Sequence, residues 1–283
     1  MSLQNFIKTY WEAAIDQSLR KTLVAQAVAN TNYEGELKQL GDKVRVIQVS
    51  DPTITSYSRG GAITYEELDD AVTELNIDTA YTFSFKTNDV DAVQEKPKLL
   101  SEHTDKAAYG FADKVDTALL AMYAQSGITS YATGTTNWRI NSLNVFDVIA
   151  DAKTKAKKAN WPEVGRYMII PPWFEEKLIL AGLDTKTSND ELLTNGLIGR
   201  VLGWDMYVSN NVSIGTASTG ANTRIMCGLK GETTSFAGVI NNVEALRLEG
   251  YMADAIRGLY VFGVKVMRPD KSMTIYADQT AEV

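Results

Sequence analysis

The segment that decides the fold runs from Val243 to Ala277. Val243-Glu244-Ala245-Leu246-Arg247-Leu248-Glu249 and Gly258-Leu259-Tyr260-Val261-Phe262-Gly263-Val264-Lys265-Val266-Met267 predict two long strands around Tyr251-Met252-Ala253-Asp254-Ala255, because β-branched and aromatic residues dominate the second and apolar positions recur in the first. Arg268-Pro269-Asp270 then turns the chain into a last strand, Met273 to Ala277. These strands follow a region in which helices and strands alternate. They therefore return to a body begun earlier in the chain, and the element they return to is a long central helix.

That helix reads from Lys98 to Gln125, where Leu100, Ala107, Phe111, Val115, Ala118 and Met122 form a stripe at spacings near three and four. At 1.5 Å per residue it spans about 40 Å, which suits a spine rather than a catalytic element. Pro97 begins or kinks it, and it stops before Gly127. The polar stretch Ser130 to Asn137 predicts an exposed junction. Beyond it, Asn141 or Ser142 caps a helix carrying Val145, Ile149, Ala152 and Ala156. Tyr167-Met168-Ile169-Ile170 is apolar on both faces and predicts a fully buried strand, ended by Pro171-Pro172 before a helix from Trp173 to Leu180. Further strands are expected at Asp205 to Ser209 and Arg224 to Gly228. Gly196, Gly199 and Gly203 fit neither a P-loop nor a G-x-G-x-x-G turn after a strand.

Upstream of the spine, Phe6, Ile7, Tyr10, Trp11, Ala14, Ile15, Leu19, Leu23 and Val28 recur at helical spacing and predict one or two amphipathic helices between Leu3 and about Ala29. Such a segment needs a surface, on its own body or on a neighbour. From Gly41 to Lys86 the period changes to two. Val44, Val46, Ile47 and Val49 mark one strand, and Leu75, Ile77, Tyr81, Phe83 and Phe85 a second, pairing as a ribbon. A connection as long as Asp51 to Glu74 is usually functional, and an isolated two-stranded ribbon is marginal in water. The expectation is a projecting arm that orders on another surface. Between Gly60 and Phe85 the charged residues are Glu66, Glu67, Asp69, Asp70, Glu74 and Asp78, with no Lys or Arg. Three readings stay open. The acids form a solvated face, or dock onto cations among Lys153, Lys155, Lys157 and Lys158 or Lys265, Arg268 and Lys271, or, in Glu66, Glu67, Asp69 and Asp70, hold a cation without the EF-hand order.

With 283 residues the chain can bury a large core as one large domain or two modest ones. It is 45% apolar and 22% charged, which excludes disordered and fibrous classes. Twenty-eight basic residues against 35 acidic ones give a net charge of −7, contrary to the cationic surplus of a general nucleic-acid binder. One histidine and one cysteine exclude His-rich zinc sites, CxxC fingers and HExxH helices within a single chain. His103 has no G-x-S-x-G elbow to serve, and Cys227 in Arg224-Ile225-Met226-Cys227-Gly228 reads as an inert core thiol. No catalytic, cofactor or metal residues are therefore assigned. The start of the sequence lacks a signal-peptide pattern, and no run is apolar enough to span a bilayer; use in a cytoplasm, away from membranes, is expected.

Several stretches together resemble the major capsid proteins of tailed bacteriophages with the HK97-like fold: Val28-Ala29-Asn30-Thr31-Asn32-Tyr33-Glu34-Gly35-Glu36 leading to Gly41-Asp42-Lys43-Val44, Asn88-Asp89-Val90-Asp91, Gly165 to Trp173, Gly203 to Asn211, and above all Tyr251 to Gly263 closing on Val266-Met267-Arg268-Pro269. The resemblance implies an α+β, HK97-like fold. It implies an amino-terminal arm at 1–39, an extended E-loop at 40–86, a peripheral domain at 87–127 and 242–283, and an axial domain at 128–241. It further implies a homo-oligomer of hexamers and pentamers, a shell around double-stranded DNA bound without sequence specificity, and a virion assembled in the bacterial cytoplasm with a separate scaffolding protein and a portal. Candidate assembly contacts are Phe6, Tyr10, Trp11, Arg59, Glu66, Glu67, Asp69, Asp70, Lys153, Lys157, Lys158, Lys265 and Arg268. No long charged helical prodomain and no Lys and Asn cross-linking pair are identified. The alternatives are an encapsulin-like nanocompartment shell and a soluble α/β enzyme.

Overall fold

A computed structural model describes residues 24–32, 43–49, 54, 56, 59–60, 70–88, 98–131, 137–182, 197–212, 223–247 and 253–279. In chain order its elements are α1 (Ala25–Val28), β1 (Lys43–Val49), β2 (Asp70–Asn76), β3 (Thr79–Asn88), α2 (Lys98–Ala121), β4 (Thr129–Tyr131), β5 (Trp138–Ile140), α3 (Val145–Lys158), β6 (Arg166–Ile170), α4 (Pro172–Leu180), β7 (Leu197–Val201), β8 (Trp204–Val208), β9 (Thr223–Leu229), β10 (Thr234–Arg247), β11 (Ala253–Val266) and β12 (Met273–Gln279). Helices and strands are mixed, as the sequence predicts.

The largest sheet has the order β4-β12-β9-β6-β8-β7, with β5 also pairing β12. Its centre is β6, in which every residue is buried, and this is why Tyr167 to Ile170 carries no polar face. On one side, α3 and α4 cover Met168, Ile170, Trp204, Met206, Ile225, Cys227 and Ile275 with Val148, Ile149, Ala152, Phe174 and Leu178. On the other, Tyr167 and Ile169 meet Val115, Leu119 and Leu120 of α2, Val24, Ala25 and Val28 of α1, and Phe236 and Phe262 of the next sheet. The buried Cys227 thiol is pushed up well beyond its ordinary pKa by burial, in keeping with an inert core group.

The second sheet is β10-β11-β3, antiparallel throughout. The spine is 24 residues long, about 36 Å. Just beyond it, after a 3-10 turn at Met122–Ala124, the chain is locked to β11, where Gln125 Nε2 donates to the Val266 carbonyl at 2.7 Å and the Val266 amide donates back to Oε1 at 2.9 Å. The third sheet is β1 with β2 alone, antiparallel from Lys43 opposite Asn76 to Val49 opposite Asp70.

Four expectations need correction. The predicted strand from Leu75 to Phe85 is two strands in two sheets: β2 pairs with β1, the chain breaks at Ile77-Asp78, and β3 pairs with β11. Leu75 and Ile77 keep their period across the break because both are buried with Ala237, Val261 and Met267. Gly263 permits that approach, since a Cβ there would lie 2.1 Å from the Asn76 carbonyl oxygen. Secondly, the long strand expected at Val243 begins at Thr234. Its polar start is buried and bonded, with Thr234 O accepting from Asn30 N at 2.7 Å. Thirdly, the last strand does not stay with β10 and β11. The turn at Pro269–Lys271 carries the chain into the largest sheet, where β12 runs between β9 and β4. Fourthly, α3 starts at Val145 after Asn144, and Asn141 Oδ1 instead accepts from the amides of Leu143 and Asn144, both at 3.1 Å, in the turn before it. Of the one or two helices predicted between Leu3 and about Ala29, α1 falls within the described residues and the stretch from Leu3 to Leu23 lies outside them.

Candidate assembly surfaces

Two segments leave the body by different means. The first is Val24 to Asn32. Its anchor is Asp116 on α2, 1% exposed and the one buried acid among the described residues. Asp116 Oδ1 accepts from the amides of Val24 at 3.0 Å and Ala25 at 2.8 Å, and Oδ2 accepts from Ser209 Oγ at 3.4 Å and Asn211 Nδ2 at 3.1 Å. Asn211 Nδ2 also donates to Asp113 Oδ1 at 2.7 Å. One carboxylate thus ties together the spine, the root of the amino-terminal segment and the turn after β8. Burial raises its pKa, and the four donors partly oppose that rise. Farther along, the Phe236 amide donates to Asn30 O at 2.9 Å and the Gly231 amide to Val28 O at 2.9 Å, so the segment lies against β10.

The second is the β1–β2 ribbon. Beyond its buried root at Leu75 and Ile77 it is held by its ladder and by solvent-facing charge. Glu74 lies opposite Arg45 and accepts from Arg45 Nε at 2.9 Å and Lys43 Nζ at 3.3 Å. These cations, Lys43 first, hold its carboxyl below the usual range. One of the acids read from the sequence therefore finds its cations within the ribbon itself.

The cations on α3 divide between two sides of the helix. Lys157 Nζ pairs with Glu163 at 2.7 Å, and Lys153 is half-buried near Gly203. Lys155 stands 3.6 Å over the Tyr131 ring, whose hydroxyl donates to Asp151 at 2.9 Å. Burial lowers the Lys155 pKa and, with Asp151, raises that of Tyr131. Lys158 is exposed. In the closing segment Arg268 pairs with Glu232 at 3.4 Å, Lys271 Nζ donates to Ala159 O at 3.0 Å, and Lys265 is half-buried in β11 opposite Ser235. Arg59 sits in an exposed turn with Gly60, and Asp70 opens β2. Phe6, Tyr10, Trp11, Glu66, Glu67 and Asp69 lie outside the described residues.

Sequence reasoning missed Asp116, Ser209 and Asn211. The signal was a charge set inside an apolar face, since Asp116 precedes Leu119 and Leu120 by three and four residues. Among the described residues no group of three or more His, Cys, Asp or Glu side chains could hold a metal ion, and no helix is long and apolar enough to cross a membrane.

The described residues thus form buried sheets, a spine helix and two outlying segments, one held by a buried carboxylate and one carrying a surface ion-pair cluster. Comparison with protein families bears on what this body serves: the family model described as phage capsid protein matches residues 49–272, more than half of the chain. The chain belongs to the phage capsid protein family. It is a structural protein and not an enzyme, it assembles into oligomeric shells, and its place is the virion capsid. Among solved structures, a chain from Mycobacterium phage Che8 is similar over 97% of this chain and 98% of that one, at 26% identity and a TM-score of 0.76. The capsid of the cyanophage P-SCSP1u matches over 99% of this chain and 95% of that one, at 17% identity and a TM-score of 0.73. The mature capsid of bacteriophage PhiM1 matches over 92% and 87%, at 13% identity and a TM-score of 0.64. At such identities the last two speak for the fold alone. Comparison with curated protein sequences gave no match. Neither the nanocompartment nor the α/β enzyme reading is favoured by these matches.

Proposed function

We propose that this capsid protein builds an icosahedral shell from hexamers and pentamers on the HK97-like plan, with residues 1–39 as an arm, 40–86 as an E-loop, 87–127 with 242–283 as a peripheral domain and 128–241 as an axial domain. The observation that carries this reading is the β1–β2 ribbon. It shares no strand pairing with either larger sheet among the described residues, and it closes at Val49 and Asp70 with residues 50–69 still to come. A ribbon of that kind gains order by lying on something, and a neighbouring subunit is the surface a shell supplies.

In this reading the arm residues Phe6, Tyr10 and Trp11, the loop residues Arg59, Glu66, Glu67, Asp69 and Asp70, and the cations Lys153, Lys157, Lys158, Lys265 and Arg268 face neighbours. A separate scaffolding protein directs assembly in the bacterial cytoplasm, and a portal takes one vertex. The shell encloses double-stranded DNA without gripping its sequence, for the net charge of −7 leaves the wall little attraction for phosphates.

The test replaces residues 50–69 by Asn-Gly, which closes the paired Val49 and Asp70 as a two-residue hairpin. The body should melt as before, and electron microscopy with scaffold present should show the loss of closed particles. Particles at wild-type yield would remove the E-loop from the mechanism, and particles empty of nucleic acid after infection would count against a DNA-enclosing shell.

A further inference from the structure

Two turns of the largest sheet, the β7–β8 hairpin and the loop before β6, each present an exposed apolar side chain, the first on constrained backbone. Leu202 and Gly203 connect β7 to β8 with φ of 51° and 93°. Positive φ at both centre positions makes a tight hairpin turn that favours Asn, Asp or Gly at the first, and a bulky Leu there is an outlier. Leu202 is also 42% exposed, so burial within its own chain does not account for it. Val164, 77% exposed, sits in the loop before β6. That loop is held from beneath: the buried Arg166 donates from Nη2 to Trp161 O at 2.6 Å and from Nε to Pro162 O at 2.5 Å, and the Lys230 amide donates to Gly165 O at 2.8 Å.

Charged side chains join the two turns into one patch. Arg200 Nη2 donates to Glu163 O at 3.5 Å and Nε pairs with Asp205 at 3.4 Å, while Lys157 pairs with Glu163 at 2.7 Å. Lys153 Nζ lies beside Gly203. Three cations against two carboxylates leave the rim positive on a chain whose net charge is −7.

We infer that Leu202 and Val164, within this cationic rim, form a contact with a second copy of the chain. The inference rests on the capsid reading and names one of its interfaces. A strained and exposed apolar residue is out of place in a free monomer but suits a covered contact. Both turns are already fixed, so little ordering is needed on docking. The occupant follows from charge, because a second copy, with a net charge of −7, is attracted as a whole to a positive rim.

A Val164→Cys variant tests this, since the native Cys227 is fully buried and should stay unreactive in the folded chain. The introduced thiol should react readily in unassembled protein and at least tenfold more slowly in particles. Equal rates in the two forms overturn the contact while leaving the capsid reading intact, and protection by scaffold before any subunit association overturns the choice of a second copy. Failure of the wild-type chain to form particles would remove the capsid reading and the contact with it. A second variant works by sign. Leu202→Asn relieves the backbone and should raise the melting temperature of unassembled protein by about 2–4 °C, yet lower particle yield severalfold. A raised melting temperature with full yield overturns the proposal.

Discussion

The amino-terminal segment from Val24 to Asn32 and the β1–β2 ribbon both lie outside the main sheets, yet they are attached by opposite electrostatics. The first is tied by a carboxylate removed from water, with two backbone amides converging on one Asp116 oxygen. The second is trimmed by Glu74, Lys43 and Arg45 at the surface, where salt and water share the charge. A buried acceptor is expensive to remove because its donors lose their partner without regaining water, whereas an exposed ion pair is worth little. The difference assigns the segments distinct mechanical roles. One is fixed to its own subunit by buried bonds; the other, in the proposed reading, takes its order from a neighbour.

The sharpest way to break this contrast is at Asp116. Asp116→Ala should leave the Val24 and Ala25 amides unpaired, at about 1–3 kcal/mol for each buried donor. The loss should appear as faster hydrogen exchange and proteolysis in residues 24–32, together with a lower urea midpoint. Unchanged exchange there would mean that apolar packing of Val24, Ala25 and Val28 alone holds the segment. Asp116→Asn, which keeps an acceptor, adds the pH dependence. Because burial raises the folded-state pKa, the proton-linked part of the Asp116 contribution is present in full below the ordinary carboxylate value and is lost as pH rises through the raised folded value. Wild type should therefore gain on the Asn variant as pH falls from neutral, and a constant difference would show that desolvation is not felt.

The root of the ribbon gives the next largest effect. Gly263→Ala places a methyl group against the Asn76 carbonyl, where backbone rather than a flexible side chain must yield. Overpacking of this kind costs about 1–3 kcal/mol. Exchange should rise at the β2–β3 junction while the β6 amides at the centre of the largest sheet stay protected. Loss of protection throughout would show that the ribbon root and the sheet unfold as one unit, and the two regions would then not be separable.

Most of the sheet elements were legible because their signals are local. The apolar run Tyr167 to Ile170 has no polar face and is closed by Pro171-Pro172, which reads as a buried strand, and the spacing of Ala107, Phe111, Val115 and Ala118 reads as a helix. The break at Ile77-Asp78 was not legible. Alternation reports which face a side chain takes and says nothing about which strand lies beside it, so Leu75, Ile77, Tyr81 and Phe83 read as one strand although the chain changes sheets between them. The destination of β12 was hidden for the same reason, since a turn at Pro269 fixes a change of direction and not the sheet that is joined. Thr234 and Ser235 look like loop residues in sequence and are buried strand residues in the fold, where the Thr234 carbonyl finds its donor far away along the chain at Asn30. Among the surface features, the acids and lysines were visible as composition. Asp116 was not noticed, because its donors come from positions 24, 25, 209 and 211.

The smallest expected effect belongs to Glu74, and its smallness is the point. Lys43 and then Arg45 lower its pKa, so its contribution is present above the unfolded carboxylate value and is lost as pH falls through the lowered folded value. Glu74→Gln should leave the global urea midpoint unchanged and only modestly quicken exchange in β1 and β2. About 1 M salt, with a Debye length near 3 Å, should erase even that difference. The Asp116→Ala effect, carried by donors out of contact with solvent, should persist at the same salt concentration. If salt abolished both effects, the amino-terminal anchor would be solvated like the ribbon; if it abolished neither, the Glu74 cluster would be shielded from ions and the ribbon fixed to its own subunit, contrary to its proposed reach across a neighbour.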